Sequence, residues 1–252
     1  MASQIIVDQL KKTGGVLTAL TLPAANATAD QYLKNDGAGV LGWVDAPADV
    51  SGFHNVKFIT ATDISVDLET GTTLIVVEVQ GAGGSAGGSN SVAYYGGCGG
   101  AGGYSLQQLT VVDSDKWNVT IGAGGVDGAT RNGGDTIFAQ AVGTSLGSTI
   151  TASGGDGATD AAAPHTDGGL GGTVTNANTG NKLNMTGSDG AAGATDKSGP
   201  DSMWGWGGAR RVVGTAPGGN ASGYGAGGGD SNGASQLGGQ GGDGLVVIWE
   251  YK

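Results

Sequence analysis

The chain has 252 residues, 55 of them glycine, and a formal net charge of −11 from 22 acidic against 11 basic side chains. That balance excludes a basic face for a nucleic-acid backbone, and a single cysteine, Cys98, excludes an intrachain disulfide framework. Charged residues make up 13% of the chain, too few for ordinary disorder, which needs charge as well as low hydrophobicity.

Residues 2–12 fit a short helix or a strand equally. Thr18 to Leu22 alternates with period two and ends at Pro23. Lys11-Lys12, the stretch Gly14 to Leu22 and Ala25-Asn26-Ala27 imitate a secretory signal. Glycine and threonine dilute that stretch, however, and Ile5-Ile6-Val7-Asp8 precedes it, so a cleaved leader is not the expected reading. No stretch approaches the roughly 18 apolar residues of a membrane helix. Tyr32-Leu33-Lys34 and Val40 to Val44 read as a hairpin around Asn35-Asp36-Gly37. Pro47 and its small neighbours read as a linker.

Strands are expected at Asn55–Thr60 and Asp63–Leu68, then a turn at Glu69-Thr70-Gly71-Thr72. Thr73–Gln80 is nearly continuous in apolar residues, as a strand buried on both faces would be. Further strands are expected at Ser105–Val112, Trp117–Ile121, Thr136–Ala141, Ser148–Ala152 and Leu245–Tyr251. The strands at Thr73–Val79 and Leu245–Tyr251 should share one sheet at the base of the domain. Between the strands lie glycine tracts that often step by three: Gly81-Gly84-Gly87, Gly96-Gly99-Gly102, Gly122-Gly125-Gly128, Gly154-Gly157, Gly168-Gly171 and Gly187-Gly190-Gly193. A left-handed extended helix has three residues per turn and no internal hydrogen bonds, so its amides must bond sideways. Glycine facing inward lets such helices lie side by side. The competing reading is a flexible Gly/Ser linker.

Two regions resemble bacteriophage proteins. Leu74 to Gly84, Gly99 to Ser105, Trp117 to Gly125, Thr151 to Gly155 and Gly241 to Ile248 together are similar to the glycine-rich domain of phage tail-fibre and fibre-tip adhesins. Leu20-Thr21-Leu22-Pro23 with Gln31 to Trp43 is similar to a segment of phage fibre and appendage proteins. The resemblance implies stacked polyglycine helices whose connecting loops touch a host receptor. It also implies a homotrimer joined mainly through the N-terminal region, which has too few apolar residues for a core of its own.

The expected fold is therefore all-β. Residues 1–50 form a small N-terminal β attachment region, and residues 51–252 a β-sandwich-like base with packed left-handed polyglycine helices and projecting loops. The expected function is that of a virion fibre protein, made in the host cytoplasm, that recognises a cell-surface glycan or outer-membrane protein. Its other partners are further virion proteins, held through the N-terminal region; no nucleic acid and no membrane insertion are expected. A capsid decoration or head fibre is the alternative. An ice-binding polyglycine protein would need a flat threonine-rich face, and a receptor depolymerase would need a catalytic constellation.

No such constellation stands out. His54 and His165 lack a nucleophile pattern, and Asp156, Asp160 and Asp167 read as solvated loop acids. Gly238 to Val246 fits one copy of a calcium β-roll nonapeptide, but no adjacent copy exists to share an ion. No catalytic residue, metal or cofactor is assigned. Stacked glycine helices exclude bulky interior side chains, so Tyr94, Tyr95, Trp204, Trp206 and Tyr224 should lie on the lattice surface or its loops. They are the candidate receptor contacts, with Arg210 and Arg211 as anchors for an acidic sugar or phosphate. Alternatively, Trp204 and Trp206 cover a hydrophobic edge or a subunit contact. Trp43, Trp117 and Trp249 lie in expected strands and read as packing residues.

Overall fold

The computed structural model describes residues 31–35, 41–45, 52–90, 94–112, 114–128, 130–143, 145–161, 166–193, 197–209, 216–232 and 235–252. The expected elements over 2–12 and 18–22, the Pro47 linker, His165, Arg210 and Arg211 lie outside these residues. The chain divides into two compact units, 1–51 and 52–252. In the first, β1 (Gln31–Asn35) and β2 (Leu41–Asp45) form the antiparallel hairpin foreseen from Asn-Asp-Gly, with Leu33 opposite Trp43.

The second unit is all-β. Its strands in chain order are β3 (Phe53–Ile59), β4 (Asp63–Asp67), β5 (Leu74–Gln80), β6 (Tyr104–Thr110), β7 (Lys116–Thr120), β8 (Thr136–Val142) and β9 (Ile150–Ala152). Then come β10 (Val174–Asn176), β11 (Lys182–Met185), β12 (Trp204–Trp206), β13 (Ser222–Tyr224) and β14 (Leu245–Tyr251). Two five-stranded antiparallel sheets result, ordered β11-β6-β5-β14-β3 and β10-β9-β8-β7-β4, with β12-β13 as a separate pair. As the two longest apolar runs suggested, β5 and β14 are direct neighbours.

Alternation then builds the core. One face of β5 (Ile75, Val77, Val79) and of β14 (Val246, Ile248) meets Val66, Trp117, Val119, Phe138 and Ile150 from the other sheet. Trp117 and Phe138 stack at 4.7 Å with planes 17° apart, both fully buried. Glu250 is also fully buried on this face, because Glu69 N–H (2.7 Å), Thr72 Oγ1 (2.9 Å) and Asn55 Nδ2 (3.2 Å) all donate to it. The turn before β5 closes with Thr72 N–H on Glu69 C=O, and Gly71 takes the φ of +86° that a Cβ would oppose. The expectation that β5 is buried on both faces is not met. Leu74, Val76 and Glu78 on its outer side are only half-buried.

The glycine tracts form a lattice on top of these strands. Residues 81–89 illustrate it. N–H groups of Gly81, Gly84 and Gly87 donate to Gly103, Gly100 and Gly97; those of Ala82 and Ser85 donate to Gly134 and Arg131; those of Gly83, Ala86 and Ser89 donate to Gly242, Gly239 and Gln236. Every third residue thus returns to the same neighbour, the signature of a threefold extended helix. Its carbonyls accept in the same rhythm: Ala82, Ser85 and Gly88 from Gly155, Ala158 and Ala161, Gly83 from Gly125, and Gly84 from Gly228. Six segments from distant parts of the chain therefore surround this one. None of the glycines described within 81–103 has a positive φ, in keeping with the left-handed extended conformation.

Close approach explains the composition. A Cβ at Gly84, Gly99 or Gly102 would fall under 3.0 Å from the backbone of a neighbouring segment. Where the helix faces a gap instead, only small side chains fill it: Ala82, Ser85, Ala86, Cys98 and Ala101 are all fully buried. Gly128, counted in the three-step pattern, is not a lattice glycine. It occupies a turn at φ +76° with nothing within 4 Å of its would-be Cβ.

Candidate functional site

The lattice has two different ends. Its segments leave and rejoin the sheets at Gln80, Tyr104, Ala152 and Leu245, and at a rise of about 3.1 Å per residue the run from Gly81 to Gly88 extends about 25 Å away from them. At that far end, Ser89 bridges to Gln236 and Ala161, while Asn232 bridges to both Tyr95 and Ala216. The residues flanking 91–93, 162–165, 210–215 and 233–234 are thereby drawn to one end of the unit.

Of the candidate contacts, Tyr94 and Tyr95 lie here, both half-buried. Their backbone is tied down: Ser89 Oγ donates to the carbonyl of Tyr94 (2.6 Å), and Thr166 Oγ1 to that of Tyr95 (3.2 Å). Arg210 and Arg211 fall between Ala209 and Ala216, outside the described residues; Ala216 is one of the residues bonded at this end. The same end carries an open depression walled by Asn90, Arg131, Asp160, Gln236 and Leu237. Arg131 is clamped between Asp127 (3.0 Å) and Asp160 (2.6 Å) and donates to the carbonyl of Ala158 (3.1 Å). The two carboxylates in turn accept Gly238 N–H (2.7 Å) and Gly88 N–H (2.8 Å).

Trp204, Trp206 and Tyr224 are brought together, but at the opposite end. β12 and β13 pair so that Trp204 stands opposite Tyr224 and Trp206 opposite Ser222, which puts the three rings on one face of the pair. Trp204 is built into the sheet edge. Its indole N–H donates to Glu78 (3.0 Å) and its ring meets Phe58 edge-on at 6.1 Å. Trp206 is 73% exposed. The two tryptophans, alike in sequence, therefore occupy unlike surroundings.

Sequence reading missed Glu78 and Arg131. Glu78 sits on the outer face of β5 and receives three donors: Tyr104 Oη (2.7 Å), Trp204 Nε1 (3.0 Å) and Trp249 Nε1 (2.8 Å). Burial, then the bond to Glu78, then its charge, push the Tyr104 hydroxyl well above its ordinary range. A lone acid in an apolar strand was the available signal, but its partners lie 26 to 171 residues away.

The loop acids correct another expectation. Rather than being simply solvated, six aspartates accept glycine N–H groups: Asp127 from Gly238, Asp135 from Gly154, Asp160 from Gly88, Asp189 from Gly171, Asp201 from Gly207 and Asp243 from Gly124. An amide turned away from a neighbouring segment still needs an acceptor, and a short carboxylate supplies one. Asp156 accepts from Asn132 (3.0 Å), while Asp167 is exposed. Asp243, the acid of the nonapeptide match, is thus occupied in the lattice, and no group of three or more His, Cys, Asp or Glu side chains suited to a metal occurs among the described residues. His54 is exposed on β3.

Comparison with known proteins matches residues 59–251 to the model of a family described as a glycine-rich domain. No curated protein matches the chain. The matched span takes in the glycine lattice and every strand of the two sheets except β3, of which it includes only Ile59, so the chain belongs to the glycine-rich domain family.

Proposed function

We propose that this chain is a non-enzymatic virion adhesin, a bacteriophage tail fibre or fibre tip, that meets a host surface receptor with the distal end of its lattice. The observation that carries the reading is the gathering of chain reversals at one end, far from the sheets, on a backbone scaffold with few degrees of freedom. Loops on a rigid frame vary without disturbing the fold, which is what a receptor-reading surface needs. The resemblance of Leu74 to Gly84 and Gly241 to Ile248 to phage fibre domains supplies the virion context, and attachment through a trimeric N-terminal region follows from the same resemblance.

Tyr94 and Tyr95 are the receptor contacts we assign on the described part of that end, with Arg210 and Arg211 in the adjoining segment. Rings held by a fixed backbone lose little entropy on binding and suit a sugar face or a protein receptor. The test compares adsorption of phage carrying Tyr94→Ala/Tyr95→Ala with phage carrying Trp204→Ala. The first should adsorb at least tenfold more slowly at an unchanged melting temperature. The second should lower the melting temperature, since it removes one of the three donors to Glu78 and the ring packed on Phe58. Normal adsorption by the tyrosine variant, together with a loss by a Trp206→Ala variant of wild-type stability, would move the receptor site to the base of the lattice.

A further inference from the structure

The outer face of the β11-β6-β5-β14-β3 sheet is unlike a free surface. Strand registers put Phe53, Phe58, Trp249, Tyr251, Leu183 and Met185 on this one side. Phe53 is 60% and Phe58 56% exposed. Phe53 rests on two rings of its own face, Trp249 at 6.2 Å and Tyr251 at 6.1 Å. The sole charge that the five strands turn to this side is Glu78, and its two oxygens already hold three ring donors. A face rich in aromatic and methionine side chains and poor in charge has the composition of a protein contact.

At the margin of this face stand a knob and a socket. Trp206 ends β12, whose backbone is fixed by Ser202 N–H on Gly205 C=O (2.9 Å) and Gly207 N–H on Asp201 (2.7 Å), and its ring is 73% exposed. Beside it lies a depression bounded by Tyr104, Met185, Ser188 and Met203; Asp201, Ser202 and Met203 line both this depression and a second one that Trp206 itself helps to wall. Two chains of charge −11 repel over most of their surfaces. They approach more readily where charge is sparse: the one charged wall of the depression, Asp201, already accepts Gly207 N–H, and one surface carries both an exposed ring and an adjoining depression, as contacts between identical subunits require.

We propose that copies of this chain pack on one another through this face, Trp206 of one copy entering the depression between Met185 and Met203 of the next. This contact lies at the base of the lattice, away from the receptor surface proposed at its far end. Photo-crosslinking of the full chain tests it, with Trp206→benzoylphenylalanine as the probe and Ile64→benzoylphenylalanine, on an exposed edge strand of the other sheet, as the control. Irradiation should give inter-copy adducts from position 206 that map to 101–104, 185–188 or 201–203, and none from position 64. A Met185→Lys substitution should cut the yield at least fivefold at an unchanged melting temperature. The proposal is overturned by a monomer in light scattering, by adducts confined to residues 1–51, or by equal yields from positions 206 and 64. It is equally overturned if Met185→Lys leaves the yield intact.

Discussion

Replacing Gly99 by valine tests the lattice directly. The Cβ would fall under 3.0 Å from the backbone of Gly84 and Ser85, atoms that cannot swing aside as a flexible side chain would. Relief requires separating 97–103 from 81–87, which are joined by Gly81 N–H on Gly103 C=O (2.8 Å), Gly84 on Gly100 (2.8 Å) and Gly87 on Gly97 (2.9 Å). At about 1 kcal/mol net for each bond, and more for any group left buried without a partner, the cost is about 3–6 kcal/mol. For a unit of this size each kcal/mol lowers the melting temperature by about 2–4 °C, so a drop of roughly 10 °C is expected. Gly102→Val, which meets the backbone of Gly81 and Ala82, should behave alike. Gly128→Ala is the control, because it meets no neighbour and bears only the cost of a positive φ, about 1–2 kcal/mol. Scanning calorimetry on the three variants reads this out. Melting within 2 °C of wild type for both valine variants would refute close packing and restore the flexible-linker reading.

Tyr104 should make stability fall at alkaline pH. Its proton is retained in the folded chain above its ordinary value, through burial first and then the Glu78 bond, whereas the unfolded chain releases it near pH 10. Its contribution is therefore complete below about pH 10 and is lost as pH rises further. Absorbance titration of the phenolate should show one late-ionising tyrosine that moves to lower pH in Glu78→Gln; an unmoved titration contradicts the assignment. Cys98 should be inert in the native chain. Burial, with the nearby charge of Asp230, pushes its thiol up to about 11, which leaves about a hundredfold less thiolate than an ordinary cysteine at pH 8. Alkylation that proceeds at the rate of a free thiol without unfolding would show that the lattice around it is open.

Much of this architecture was legible in the residues because its periods are short. Short runs of β-branched and apolar residues between turn signals located β3 to β9 and β14 to within two or three residues, and period three found the lattice. The strands that were missed, β10 to β13, run only three or four residues and lie inside glycine-rich segments, where too few side chains remain to show alternation. Gly128 was misassigned because spacing alone cannot tell a turn glycine from a packed one. Trp204 and Trp206 looked equivalent for the same reason. What separates them is Glu78 and Phe58, more than a hundred residues earlier in the chain. The aspartates kept their secret too, since an acceptor is recognised only once the unpaired amide beside it is known.

The six-sided enclosure of residues 81–89 also governs how the domain is made. A helix without internal hydrogen bonds has no nucleus of its own, so this segment stays unstructured until its neighbours arrive. Three of its amides wait for Gln236, Gly239 and Gly242, and β14, which inserts between β3 and β5, follows immediately after them. On the ribosome, then, more than 150 residues emerge before the central segment can be enclosed, and closing loops of that length makes assembly slow. Until then the edge of β5 that β14 will pair stays open, and Ile75, Val77 and Val79 lack the cover of Val246 and Ile248.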